Sequence, residues 1–499
     1  MINLPDSLRA KFQGFTVRYF FYLLLMVLVI TAYRAWVVLT NGLPLYVDEA
    51  QYWFWAQNLA WGYYSKPPII AAVIATTTSV CGNAEPCIRA GSLIFYPLST
   101  FVLFFLTHRL FDEKIAFIAG LLFITLPAVG VSSLLISTDV VLFFFWILAL
   151  FAFVRVLKTD AWLDWILLGV ALGLGLLTKY TMGVFFLSAA LYLFFSGRWY
   201  FFIKLRAWVA VLITAAIFAP NLGWNWQHNF PTFQHTAEIS HLEQAGLHWS
   251  SFAEFFIGQF GVFGLLFFPL LLLILFNLKR LQCLPYSGLL ISFTLPFLLI
   301  ISLQALLGTA NANWAAPSYV AATVLLAAWL VYGQYRYLFI MGLLLNTWLF
   351  VGLYHYQTVA SWLGIEITAK NDVYKRLRGW DELGQQYLAL QAKYPNALPM
   401  AEERGVMSEL TYYARPVGLN IVSWNPEHKL RHHYDLVTSL EGREGQEFLF
   451  VSTGALPTNI KAYFAPTEQV GELSVHLYAD HELRYPVYRL QNFKGLKQQ

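Results

Sequence analysis

Charge is scarce in this sequence. Only 12% of its 499 residues are Asp, Glu, Lys or Arg, against roughly 25% in a soluble domain. A single water-soluble globule is therefore excluded. The net charge of +4 is too small to argue for nucleic acid as a partner. Cysteine is nearly absent, with 3 in the chain. Cys81 and Cys87 are close neighbours in CGNAEPC and Cys283 stands alone; the first two either form a disulfide in an oxidising compartment or remain as free thiols. There is no internal repeat and no low-complexity segment. A cleavable signal peptide is not expected, because the first apolar run, 19–40, is too long for a signal core and lacks a small-residue cleavage site.

What is present is apolar length. Hydrophobic residues make up 58% of the chain, and runs near 20 residues, long enough to cross a core of about 30 Å, recur over most of the first 355 positions. The spacing predicts spans at 19–40, 88–110, 115–132, 139–157, 162–178, 181–196, 207–221, 255–277, 286–306, 315–332 and 337–355, while 69–80 is apolar but short and reads as interfacial or re-entrant.

Cations alternate between the loops. Arg9, Lys11 and Arg18 precede the first span, and Arg109, Lys114, Arg155, Lys158, Arg198, Lys204, Arg206, Lys279, Arg280 and Arg336 fall on the same side. The opposite loops hold only Lys66, Arg89 and Lys179, with Arg34 near the end of the first span, and 222–254 has no Lys or Arg. By the positive-inside rule the N-terminus is expected in the cytoplasm and the C-terminal tail outside.

The tail, 356–499, carries about half of all charged residues. Helical spacing over 371–394 and 401–413, with strand-like runs at 447–452 and 474–478, predicts a small soluble α/β domain. The expected architecture is an all-α polytopic membrane domain, 1–355, with a first outer loop at 41–68, followed by that α/β domain.

Residues fit for chemistry gather at the outer ends of the expected spans. Asp48 and Glu49 open an aromatic helix in LYVDEAQYWFWAQNLAW. Either they serve only as its cap and first-turn acid, or they also provide a base. Lys66, in SKPP beside Tyr64, either snorkels to lipid headgroups or contacts a phosphate. Asp139 begins a span after Ser137 and Thr138, which serve as caps equally well, so its carboxylate exceeds what a cap requires. Lys179, Arg34, Asn313 and Trp314 complete the set, each with an interfacial role as the plain alternative. His228, His235, His241 and His248, with Glu238 and Glu243, fit no standard metal spacing.

The segment DEAQYWFWAQNLAWGYYSKPPIIA, followed by STDVVLFFFW, LGLLTKYTMG and TANWAAPSYVAATVL, resembles the protein-mannosyltransferase and ArnT-like glycosyltransferase superfamily. RGWDELGQQY and HHYDL resemble the outer domain of its bacterial members more loosely. The resemblance implies the GT-C membrane fold, with about 11–13 transmembrane helices, in the bacterial inner membrane. It implies a polyprenyl-phosphate-linked sugar as donor and a lipid, glycan or protein acceptor, foremost lipid A or another envelope glycolipid. Asp48 matches the family's catalytic acid, with Glu49 beside it, and Asp139 the second acid. Lys66 matches the lysine that contacts the carrier phosphate and Lys179 a helix-end lysine of the same group; Lys179 and Arg34 are further candidates for the phosphate, and Tyr64, Asn313 and Trp314 are candidate substrate contacts. The aminoarabinose branch carries Glu before the loop lysine, whereas here Ser65 precedes Lys66; no cofactor is carried over, and neither a metal requirement nor aminoarabinose as the sugar follows. Attack opposite the phosphate implies inversion at the anomeric carbon.

A transporter or flippase for a lipid-linked sugar is the competing reading, and a membrane scaffold with a partner-binding outer domain is a third. Transporters place ionisable groups near mid-membrane, whereas these spans have apolar middles. A scaffold gives no reason for Lys66 and Lys179 to oppose the charge rule.

Overall fold

In a computed structural model the described residues are 17–240, 246–277, 281 and 284–496. Arg9, Lys11, His241, Glu243, Lys279, Arg280 and Cys283 lie outside them. The chain divides into two compact units, 1–40 with 89–354 and 41–88 with 355–499. The first loop, expected to go with the membrane helices, thus groups with the tail.

The first unit is helical. Among the described residues six helices are long and apolar enough to cross a membrane: Arg18–Thr40, Glu85–Leu110, Thr138–Thr159, Leu205–Gln227, Ser287–Leu307 and Arg336–Tyr354. Trp162–Leu176, Tyr180–Phe195 and Ser318–Tyr332 are apolar but shorter. Two expected spans are broken. The run at 255–277 is two helices, Trp249–Phe263 and Phe267–Phe276, bent by 111°. Gly264 sits between them with φ +114, a conformation that a side chain resists. The run at 115–132 is Glu113–Ile124 followed by Pro127–Ser132, because Pro127 cannot donate to the preceding turn and instead opens a new one. Helices Trp162–Leu176 and Leu205–Gln227 approach closely at Gly169, where a Cβ would lie 2.7 Å from the Ala210 carbonyl oxygen. Small residues at such crossings let backbones meet without hydrophobic driving force from lipid.

The second unit is α/β. Strands β1 Leu398–Ala401, β2 Val422–Ser423, β3 Phe448–Val451, β4 Thr467–Tyr478 and β5 His481–Leu490 form one sheet in the order β2-β1-β3-β5-β4. β1 runs parallel to β2 and β3, and β5 is antiparallel to β3 and β4. β3 and β4 cover the two strand runs read from sequence. The expected helix over 371–394 is shorter, Trp380–Gln391, because Gly379 takes a left-handed φ of +84 immediately before it. The helix expected at 401–413 is Arg404–Tyr413, started by Glu403, whose carboxylate accepts from the Val406 N–H at 2.8 Å.

The first loop contributes helices Val47–Gln57 and Ile69–Cys81 to this unit. At 1.5 Å per residue the 13-residue second helix spans only about 20 Å, short of a bilayer core. Phe54 stacks on Tyr434 at 4.9 Å, and Trp53 meets the Tyr412 edge at 5.0 Å. Aromatic burial of this kind fixes the loop to the tail with large apolar area per residue. Cys81 and Cys87 are bonded, with Cα atoms 5.9 Å apart.

Candidate functional site

Asp48 is the second residue of helix Val47–Gln57, and Tyr46 rather than Asp48 is its N-cap. Its Oδ1 accepts from Arg404 Nη1 at 2.8 Å, and the same nitrogen donates to Gln51 Oε1 at 2.6 Å. The Asp48 side chain is 39% exposed, so the carboxylate is held on one side and open on the other. Burial works against the Arg404 charge, but Asp48 within hydrogen-bond distance outweighs it and holds the guanidinium above its ordinary pKa. Arg404 is therefore a fixed cation at every working pH.

Glu49 is placed differently from its neighbour. It is buried, and its carboxylate accepts from the Tyr46 N–H at 2.9 Å. This reach from the third helical residue to the cap N–H is one half of a capping box, so Glu49 stabilises the helix start that presents Asp48.

Lys66 is half-buried between buried neighbours: Tyr63 and Tyr64 before it, Pro67 and Pro68 after. Its carbonyl accepts from the Tyr63 N–H at 3.1 Å, and the prolines fix the φ angles that follow. Tyr63 stacks on Trp55 at 4.5 Å with planes 3° apart, and burial pushes its phenol up to about 12. The Tyr64 N–H faces His433 Nδ1 at 3.5 Å.

Three residues of the first unit that the sequence singled out separately meet at one carboxylate. Asp139 is the second residue of helix Thr138–Thr159, with Ser137 as N-cap. Its Oδ1 accepts from Lys179 Nζ at 2.6 Å and its Oδ2 from Asn313 Nδ2 at 2.7 Å. The two charged side chains are 12% and 16% exposed. Trp314, next to Asn313 in the short turn Ala312–Ala315, is half-buried.

Arg34 stands apart. It is 2% exposed, its Nη2 donates to the Ile124 carbonyl at 2.7 Å, and its guanidinium lies 5.4 Å from the Phe350 ring. Ile124 ends a helix at the break before Pro127, where carbonyls lack intrahelical partners. A buried cation there stabilises the helix end.

Sequence reading missed Arg404 and Gln51. Arg404 lies 356 positions from Asp48, and nothing local marks it except the EERG run that starts its helix. His433 carries no such signal either beyond its place in HHYDL. Of the four histidines, His228 stacks on Trp224 at 4.3 Å and bonds the Trp224 carbonyl. Among the described residues no three His, Cys, Asp or Glu side chains gather to hold an ion.

A family model described as dolichyl-phosphate-mannose-protein mannosyltransferase matches residues 65–224. The chain is similar to the lipid A galacturonosyltransferase RgtD of Rhizobium johnstonii, with 32% identity over 443 residues, 87% of this chain and 91% of that protein. It is also similar to the lipopolysaccharide core galacturonosyltransferase RgtA of the same organism, 29% identical over 203 residues and 38% of either chain. Its fold matches ArnT from Cupriavidus metallidurans in the apo state, with TM-score 0.64 and 13% identity over 95% of this chain and 99% of that one. ArnT bound to undecaprenyl phosphate matches with TM-score 0.64 and 15% identity over 95% and 98%.

Proposed function

This chain belongs to the ArnT-like family of multi-pass membrane glycosyltransferases with the GT-C fold, and from that premise we propose that it moves a hexuronic acid from a polyprenyl-phosphate donor to lipid A or a related envelope glycolipid. The reaction takes place at the outer face of the bacterial inner membrane, with the N-terminus cytoplasmic and the tail periplasmic. The observation that carries this reading is the 32% identity to a lipid A galacturonosyltransferase over 91% of that protein. The half-open Asp48 carboxylate supports it.

In the proposed step an acceptor hydroxyl oxygen attacks the anomeric carbon. The bond from that carbon to the phosphate oxygen breaks, and the polyprenyl phosphate leaves with the electron pair. Attack opposite the phosphate inverts the centre, through a state with oxocarbenium character. Asp48 accepts the hydroxyl proton as general base, and Arg404 fixes which oxygen faces the acceptor. Lys66 stabilises the charge developing on the departing phosphate, its main chain held by Pro67 and Pro68. Within the first unit Lys179 is suited to an anion of the substrate: an ammonium has three donors, and Asp139 uses one of them. Asn313 holds the other oxygen of Asp139 and sets its orientation. Trp314, half-buried, offers aromatic surface to the sugar or its carrier, whereas Tyr64 is buried and supports the Lys66 turn.

The test compares mass spectra of lipid A and other envelope glycolipids from the parent strain, a deletion, and a deletion carrying Asp48→Asn. Loss of one hexuronic acid mass in the deletion, not restored by the variant, is the expected outcome. An unchanged glycolipid profile in the deletion would defeat the reading and leave a glycoprotein acceptor or a transporter to be considered.

A further inference from the structure

The second unit contains a cavity of about 460 Å³ that the assignments above leave unused. This is within the ~300–1,000 Å³ range of small-molecule sites. Its lining brings Lys375, Arg376, Arg378 and Arg404 together with His481 and a single acid, Glu403. The cations come from two distant segments, the turn before helix Trp380–Gln391 and the first residue of helix Arg404–Tyr413.

These cations differ in how they are balanced. Arg378 is paired with Asp372 at 2.6 Å, and Arg404 with Asp48 at 2.8 Å. Lys375 is exposed and donates to the Ala369 carbonyl at 3.0 Å. Arg376 is exposed, and neither it nor Lys375 forms a salt bridge among the described residues. Glu403 is turned to its own helix, accepting from the Val406 N–H. The lining therefore keeps a positive surplus. Trp380 and Tyr485, 5.6 Å apart, add apolar ring faces beside the cations. Like charges on an open surface repel and separate; here they converge on a concavity with aromatic walls. Guanidinium and ammonium donors in that arrangement match an oxyanion, with Arg able to bind it through two N–H groups.

We infer that this cavity binds an anionic group, a phosphate monoester or a carboxylate, carried on the saccharide headgroup of one of the two substrates. The inference rests on the transferase reading above and names a recognition element for it. Arg404 both lines the cavity and bonds Asp48, so an oxyanion seated there places its sugar in register with the proposed base.

The experiment uses the full-length protein in detergent and equilibrium dialysis with two pairs of probes. One pair is the bisphosphorylated glucosamine disaccharide of deacylated lipid A and its dephosphorylated form. The other is galacturonic acid and galactose. The parent is expected to bind an anionic probe at least about tenfold more tightly than its neutral counterpart. The double variant Lys375→Gln, Arg376→Gln is expected to reduce that preference to about twofold or less, and Lys375→Arg with Arg376→Lys to restore it. Preference within the phosphate pair assigns the cavity to the acceptor; preference within the uronate pair assigns it to the donor sugar. No preference in either pair, or one that the double variant keeps, overturns the inference. Sugar transfer measured on the same preparation separates the two readings. Transfer without charge preference removes the cavity inference alone. Charge preference without transfer to any lipid supports the cavity and removes the lipid-acceptor reading.

Discussion

Asp48 and Asp139 occupy the same helical position in the two units, the second residue of the first turn of an apolar, aromatic helix. The helix dipole favours an acid at that position in both cases. Their surroundings differ. Asp48 keeps a side chain 39% exposed and one guanidinium partner. Asp139 is 12% exposed and has both oxygens engaged, by an ammonium and by an amide. One local rule has thus produced an accessible carboxylate in one unit and a largely buried ion pair in the other. Function diverges with the number of donors the tertiary fold delivers and with how much water is left.

The comparison breaks most sharply at Asp48. Asp48→Asn is expected to lower transfer by about 10²- to 10⁴-fold, the usual contribution of a positioned base, while leaving the melting temperature in detergent within a degree or two. Equal activity in that variant would remove Asp48 from the chemistry. At Asp139 the expected balance is reversed. Asp139→Leu leaves the half-buried Lys179 uncompensated and is expected to cost about 3 kcal/mol, the low end for a broken buried pair, read as a clear drop in melting temperature. Adding Lys179→Met to it should recover much of the loss. A double variant no more stable than Asp139→Leu alone would show that the pair is not coupled.

Lys66→Ala is expected to raise the apparent KM for the lipid-phosphate donor about tenfold, as for loss of one charge-assisted contact. An unchanged donor KM would place the lysine outside the phosphate contact. The smallest effect concerns His432. Burial lowers its pKa from the ordinary 6.5, against the pull of Asp435. A histidine kept neutral when folded binds fewer protons than when unfolded. Its contribution is therefore intact above pH 6.5 and is lost as pH falls below that value, towards the folded pKa. His432→Gln should flatten the fall in melting temperature between about pH 6.5 and 5; an unaltered slope would assign that fall to other groups.

Much of the architecture was legible. Apolar runs near the length of a bilayer core and a change of composition near 355 separate helices from tail without any alignment. The breaks at Gly264 and Pro127 were not read, because hydropathy counts apolar residues and ignores a glycine at φ +114 or a proline opening a second helix. Strand β5 was missed because Pro486 and several polar residues interrupt its pattern, although Pro486 still pairs with Glu472 on β4.

For the site, sequence by itself determined which side chains are available: two acids at helix starts, Lys66 held between tyrosines and prolines, and Lys179 against the charge rule. These are local properties, set by helix capping, proline geometry and topology. Tertiary structure alone decided who meets whom. It brought Arg404 to Asp48, joined Asp139 with Lys179 and Asn313, turned Glu49 and Arg34 to the support of helix ends, and gathered four cations around one cavity. Contacts between residues far apart in the chain depend on packing. Packing sets both the distance between charges and the water around them, and those two quantities decide whether a carboxylate stays open or is locked in an ion pair.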